Sequence, residues 1–382
     1  MKTNNRINKV EEYHFKRIEE LKNNLLKEKK EVIDLSIGDP DLKVNTKITK
    51  ELVKALRAEG FNKYPPYEGL DTLKHQIIKY YEEIYSVSLK SDEVVILIGS
   101  KEGLSGIIPA VCDIGDNVIT PMLGYPVYET CSKLWGCTNY NIKLTEENSY
   151  LPNLSVIPKS ILEKSKLFFI NYPNNPTGAI ANEDFYKEII SFCDKWNIIL
   201  CNDGAYNEII NPFETPISLL QFDKKKNCVE FGTFSKIYNM TGFRLGYAVG
   251  NKAVISAISK IKSNLDSGQF IPIQKAGIEA LKLDRDYVNS IRLIYQGRKT
   301  AAENILKQKN IDFFSKGRTF YLWCKTPQKF TTDEFCEQLI NNYGIVVTPG
   351  YCFGESGKEY FRIALTKSEE VINKCLIKLD IY

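Results

Sequence analysis

Short apolar runs recur along this chain, separated by stretches of more polar, helical character. The runs of strand length are VVILIG (94–99), NVITP (117–121), LFFINYP (167–173), IILCND (198–203), VEFGTF (229–234) and RLGYAVG (244–250). Between several of them lie helical stretches such as NEDFYKEIISFCDKW (182–196). Strands alternating with helices predict an α/β fold built on a mostly parallel sheet. Ahead of this region, residues 8 to about 30 read as a polar helix, followed by VIDLSIGDPD (32–41), a short strand running into a Gly-Pro turn. After residue 270 the pattern changes. A long helical region (272–308) leads to strands in FFSKGRTFYLWCKT (313–326) and GIVVTPG (344–350), with a helix in TTDEFCEQLINNY (331–343) between them. This predicts a smaller α+β domain, and the expected division is a large domain over 45–280 and a small domain from 1–44 and 281–382.

Composition narrows the chemistry. The 382 residues are enough for one large or two ordinary cores. At 43% hydrophobic and 26% charged the chain has the balance of a globular protein. Its net charge of +4 is interspersed and too weak to argue for nucleic acid. Ten cysteines include no CxxC pair and read as reduced, mostly buried thiols of a cytoplasmic protein. The opening MKTNNRINKVEEYHFKRIEELK lacks the apolar core of a secretory signal, and no apolar run has membrane-spanning length. There are only two histidines, His14 and His75, and neither sits near a ligand cluster. Ser-His-Asp and Cys-His catalysis and most zinc sites are therefore disfavoured. Proton transfer falls to lysine, tyrosine or carboxylate, with an organic cofactor as the natural complement.

Ligands of open α/β sheets bind at the carboxyl ends of the strands. The residues there are Ser100 and Lys101 after Gly99, Gly124 and Tyr125 after Pro121, Asn174 and Asn175 after Pro173, Asp203 and Tyr206 around the end of IILCND, and Ser235 and Lys236 after Phe234. IGSKEGLSG places a small-residue turn before a helix, whose free N–H groups suit a phosphate, although such turns are also common without one. Arg244, eight residues after Lys236, adds a fork for phosphate, and Thr233 and Ser235 add hydroxyls. Asp203 closes an apolar strand and needs a positive partner, either a structural ion pair or a protonated ring nitrogen. Asn175 and Tyr206 offer donors to a ring hydroxyl oxygen, and Tyr125 a face on which a flat ring stacks. By itself Lys236 is one of 51 basic residues; with this set it fits the Schiff-base lysine of pyridoxal 5′-phosphate.

The motifs NYPNNPTG, NDGAY, SKIYNMTGFRLG and YFRIALT, in this order, resemble those of class I aminotransferases. The resemblance spans essentially the whole chain. It implies the aspartate aminotransferase fold (pyridoxal-phosphate transferase fold type I), and a transaminase that moves an amino group between an amino acid and a 2-oxo acid by ping-pong exchange. On this resemblance Lys236 holds the cofactor, Arg244 its phosphate, Asp203 the ring nitrogen, Asn175 and Tyr206 the ring hydroxyl and Tyr125 the ring face. Ser100, Lys101, Thr233 and Ser235 lie on the phosphate loops. Arg362 resembles the clamp for the substrate α-carboxylate, and Gly38 a close backbone approach to substrate, with Lys101, Tyr125 and Asn175 also facing it. Tyr64, in KYPPYEG, resembles a tyrosine that reaches the phosphate of a neighbouring subunit, which implies a homodimer with shared active sites.

Within the family, YPPYEGLDTLK, SGQFIPIQKA and VVTPGYCFGESGKEYFRIALT are most similar to LL-diaminopimelate aminotransferases, in which a tyrosine near the N-terminus reaches substrate; YHFKRI offers Tyr13. The chain departs from that pattern: the prolines before that tyrosine are missing, Gly204 stands where alanine is usual, Gly232 where a larger residue is common, and Cys352 is expected close to the substrate rim. Aspartate, alanine and aromatic amino acids are the alternative donors. A carbon–sulfur lyase or decarboxylase would keep the same cofactor. A regulator's sensing domain would carry an added DNA-binding domain, for which the roughly 30 residues ahead of the fold leave no room.

Overall fold

The computed structural model describes residues 4–10, 16–28 and 31–379. Its central element is a seven-stranded sheet formed from β2 (Val94–Leu97), β3 (Asn117–Pro121), β4 (Thr138–Ile142), β5 (Ser165–Ile170), β6 (Ile199–Asp203), β7 (Cys228–Thr233) and β8 (Gly246–Gly250). A short β1 (Ile33–Asp34) precedes them. The spatial order is β2-β8-β7-β6-β5-β3-β4, parallel throughout except that β8 runs antiparallel to both of its neighbours.

The central strands are apolar along their length because both faces are covered. Val95, Leu97, Phe169, Val229 and Phe231 pack against the helices Ser100–Val111, Val127–Trp135 and Lys252–Leu265 through Leu104, Ile107, Tyr128 and Ile255. Ile96, Phe168, Ile170 and Leu200 face the opposite way, onto Ile77 of the helix Asp71–Tyr85 and Ile189 of the helix Glu183–Trp196. Asn182 caps the latter helix by accepting from Phe185 N.

The strands expected from the apolar runs are present within one or two residues at most ends. β4 (TNYNI) is an addition: it is an edge strand paired only with β3, too polar to stand out. The reversal of β8 has a consequence for the site. Thr233 pairs with Gly246, so the amino end of β8 lies beside the carboxyl end of β7, and Arg244 is delivered to the ligand edge of the sheet.

The remaining strands are β9 (Tyr321–Lys325), β10 (Ile345–Val346), β11 (Thr348–Pro349) and β12 (Tyr360–Ala364). β11, β12 and β9 form an antiparallel sheet, and β10 pairs in parallel with β1. The long helical region is two helices, Ile271–Leu281 and Arg285–Gln308, separated where Asp284 caps the second by accepting from Tyr287 N. Of the expected N-terminal helix, Lys16–Lys27 is helical, and its Leu25 packs on Ile340 and Val346. Among the described residues no helix is long and apolar enough to cross a membrane.

Candidate active site

A cavity of about 690 Å³ opens at the carboxyl edge of the large sheet and is closed from the other side by the segment after β1 and by β12. Gly38, Ser100, Lys101, Tyr125, Asn175, Asp203, Tyr206, Thr233, Ser235, Lys236, Arg244 and Arg362 all line it. Tyr64 does not; its side chain is 85% exposed. Tyr13 lies outside the described residues.

One end of the cavity is built for an anion. The helix Ser100–Val111 starts at Gly99 with no side-chain cap, so its N-terminal end, where a helix favours an anion, is not covered by a side chain of its own. Arg244, held in the left-handed region at φ 51°, donates from Nη1 to Thr241 O at 3.0 Å. Its guanidinium lies so close over Gly99 that a Cβ there would sit 2.3 Å from Nη2. Thr233 Oγ1 donates to Ser235 Oγ at 2.9 Å, on the adjoining loop. Glu102, in the first turn of the helix, would repel an anion, but it is held back by Lys262 Nζ at 2.9 Å and by Ile98 N. Gly99 has φ 75°, so Gly99→Ala adds a left-handed alanine to the clash with Arg244. Its affinity for pyridoxal 5′-phosphate, titrated by absorbance, is expected to fall about tenfold or more.

The other end carries charge and acceptors in unusual settings. Asp203 Oδ2 accepts from Tyr128 OH at 2.7 Å, while Oδ1 is buried with no hydrogen-bond partner. Burial pushes this carboxyl up to about 6, against the opposing bonds from Tyr128 and Ala205 N. No ion pair involves Asp203 among the described residues, so the structural salt bridge that its position allowed is not what satisfies it. An N–H donor brought by a ligand would. Lys236 Nζ donates to Gly38 O at 2.8 Å, and burial lowers its amine to about 8, opposed by Asp39 and assisted by Arg362 and Arg244.

Arg362 is 4% exposed and has no acidic partner among the described residues. Nη1 donates to Asn175 Oδ1 at 2.6 Å and Nη2 to Ser36 O; the guanidinium lies between the rings of Tyr321 (4.2 Å) and Phe353 (4.6 Å). Nε is unpartnered. A buried guanidinium without a counter-charge is a receptor for a carboxylate. Asn171 fastens the floor: its Nδ2 donates to Asp203 O at 2.6 Å and its Oδ1 accepts from Asn175 N at 2.8 Å. Tyr206 and Tyr321 share a hydrogen bond of 2.9 Å between their hydroxyls.

An unmet buried acceptor, an amine with a lowered pKa and an anion cradle together fit pyridoxal 5′-phosphate. Three expectations from the sequence change in detail. Gly38 is required by the protein itself, since a Cβ there would sit 1.8 Å from Tyr321 OH. Gly232 makes room for Tyr247, whose ring would lie 2.1 Å from a Cβ. Cys352 is not on the rim: it is buried, its thiol pushed up to about 12 by that burial, and Phe353 faces the cavity instead. Asn171, Tyr128, Tyr321 and Lys262 were not singled out from the sequence. For Tyr128 a signal existed, one helical turn beyond Tyr125.

Residues 30–379 match the family model for aminotransferase class I and II. The chain is 41% identical to an LL-diaminopimelate aminotransferase of Aquifex aeolicus over 94% of this chain and 93% of that one. It is likewise 41% identical to an LL-diaminopimelate aminotransferase of Halothermothrix orenii, over 99% and 98%. Among solved structures, substrate-bound BacF from Bacillus subtilis superposes with a TM-score of 0.94 at 32% identity, covering 98% of this chain and 96% of that one. With a match across nearly its full length, this chain belongs to the class I and II aminotransferase family and is a pyridoxal 5′-phosphate-dependent transaminase.

Proposed function

We propose that the amino donor is LL-diaminopimelate and the acceptor 2-oxoglutarate. The relatives at about 40% identity are named LL-diaminopimelate aminotransferases, which supports the donor. The cavity adds a physical argument. Beyond Arg362, its lining includes Glu19, Asp39 and the Lys22–Asp34 pair (2.6 Å), charges of both signs that suit a substrate with a second amino-acid head. The observation that carries the reading of the site is Arg362, a buried cation without a counter-charge among the described residues, which supports an α-carboxylate as its partner.

When bound, pyridoxal 5′-phosphate supplies an aldehyde that takes up amines and a ring that accepts the electron pair left at the α-carbon. The chain's own residues would do the rest. Ser100, Lys101, Thr233, Ser235 and Arg244 hold the phosphate end, and Asp203 Oδ1 accepts the ring N–H. Tyr125 covers the ring face. Arg362 occupies Asn175 Oδ1, which leaves Nδ2 of Asn175 and the hydroxyl of Tyr206 to donate to the ring oxygen. Arg362 also orients the substrate so that its α-proton faces Lys236. With a pKa near 8, Lys236 Nζ can both take that proton and return it at neutral pH. When it is not bonded to the cofactor, the Lys236 amine has Gly38 O as its acceptor.

Tyr64, exposed on its loop, would complete the phosphate site of a second copy in a homodimer. The division into a domain over 45–280 and a smaller one from 1–44 and 281–382 is supported by the pairing of β1 with β10. A cytoplasmic location is supported by ten free cysteines.

The substrate test is a titration of the loaded enzyme with LL-diaminopimelate, aspartate, alanine, tyrosine and glutamate, following the cofactor absorbance. Bleaching by LL-diaminopimelate and glutamate alone is the expected result. Bleaching by another donor, with LL-diaminopimelate inert, overturns the substrate while leaving the transaminase intact.

A further inference from the structure

Tyr321 also lines the cavity, from β9, and is 2% exposed. Its hydroxyl oxygen lies 2.9 Å from that of Tyr206, and among the described residues this is the one hydrogen bond its side chain makes. The ring is fixed on two sides. In the antiparallel pair of β9 and β12, Trp323 stands opposite Arg362 and Tyr321 opposite Ala364, so Tyr321 and Arg362 are diagonal neighbours on one face. The Arg362 guanidinium accordingly rests on the Tyr321 ring, 4.2 Å from its centre. Gly38 closes over the hydroxyl so tightly that no Cβ fits between them. Held in this way, the Tyr321 hydroxyl can turn its proton but cannot move away from Tyr206.

A phenol has one proton to donate. With the Tyr206 proton directed at the ring oxygen of the cofactor, the bond between the two hydroxyls has to run from Tyr321 to Tyr206. We propose that Tyr321 is a positioning residue whose hydroxyl donates to Tyr206, aims the Tyr206 proton at the cofactor's ring oxygen and strengthens that bond. The proposal rests on the reading of Tyr206 as a donor to that oxygen. A hydroxyl that accepts one hydrogen bond becomes a better donor in the next, most of all in a buried site. Tyr321 thus acts on the cofactor without touching it, through a partner 115 residues away in the chain.

The test follows the near-visible absorbance of the loaded enzyme against pH. That colour changes as a proton leaves the nitrogen joining Lys236 to the cofactor, and the proton leaves more readily the better the negative ring oxygen is stabilised. Tyr321→Phe is expected to raise the midpoint by about 0.5 pH unit, and Tyr206→Phe to raise it further. The double variant should match Tyr206→Phe alone, because Tyr321 acts only through Tyr206. The charged groups that face Lys236, namely Asp39, Asp203, Arg244 and Arg362, are untouched in all three. Phenylalanine also keeps the ring beneath Arg362, so KM for the amino donor should stay within about twofold in Tyr321→Phe. A residue that only packs would leave the midpoint in place. The proposal is overturned if Tyr321→Phe leaves the midpoint unchanged while Tyr206→Phe raises it. It is overturned equally if Tyr321→Phe lowers the midpoint, which would mean that Tyr206 had been donating to Tyr321, or if the two shifts add in the double variant. A midpoint that Tyr206→Phe itself does not move removes Tyr206 from the ring oxygen, and the role of Tyr321 with it.

Discussion

Lys236→Ala is expected to lower turnover by at least about 10⁴-fold, because it removes both the group that holds the cofactor and the base that moves the α-proton. Burial sets this lysine apart from the other basic residues: its amine is lowered to about 8, with Arg362 and Arg244 disfavouring its charge. Near neutral pH a useful fraction is uncharged, whereas an exposed lysine would be almost wholly protonated. Lys236→Arg separates charge from basicity. Arginine restores the positive charge near Asp203 and Asp39 but does not release a proton. If neutral Nζ is what matters, the arginine variant is as inactive as the alanine one. Recovery of substantial turnover in Lys236→Arg would mean that the position supplies only electrostatics. The apoenzyme provides a second reading. Only the neutral amine attacks an aldehyde, so the rate at which it captures pyridoxal 5′-phosphate covalently should rise as pH passes through about 8. A capture rate that goes on rising about tenfold per pH unit beyond pH 9, as an ordinary lysine would give, would contradict the lowered pKa.

Lys236, Asp203, Asn175 and Arg244 were legible in the sequence because each follows or precedes a strand whose apolar run marks it, and the edge of an open sheet gathers such residues. The order of the strands was less so. β8 reads from its residues like its parallel neighbours, and nothing local in RLGYAVG says that it runs backwards. The groups that tune the site were hidden for a related reason. Lys262 restrains Glu102 from 160 residues away, and Arg362 donates to Ser36 O from 326 residues away. Such pairings leave no periodicity in the chain. Tyr321 points inward from β9, within a run that reads simply as an apolar strand, and it forbids a side chain at Gly38. Cys352 shows the converse error. Position in YCFGESG suggested the rim, but a short helical turn over Gly350–Phe353 turns the thiol inward and presents the adjacent ring.

Asp203→Asn is expected to lower turnover by about 10³-fold, since an amide cannot hold the ring nitrogen protonated through its charge. Its effect on stability should run the other way. Burial raises this carboxyl from 3.8 to about 6, so the folded apoenzyme holds the proton more tightly than the unfolded chain does. Stability contributed by that proton is fully present below pH 4 and is lost as pH rises through about 6. Above that, ionising a buried carboxylate costs about 3 kcal/mol. Asparagine has no charge to bury and retains an acceptor for Tyr128 OH. The apo variant should therefore melt above the apo wild-type protein at pH 7.5, and the difference should vanish toward pH 4. Loading with pyridoxal 5′-phosphate should reverse the order, because the ring N–H then meets Asp203 Oδ1, the atom left without a partner. If the apo variant melts below the wild type at every pH, Asp203 is holding the fold together through Tyr128 rather than waiting for a ligand, and its assignment to the ring nitrogen fails.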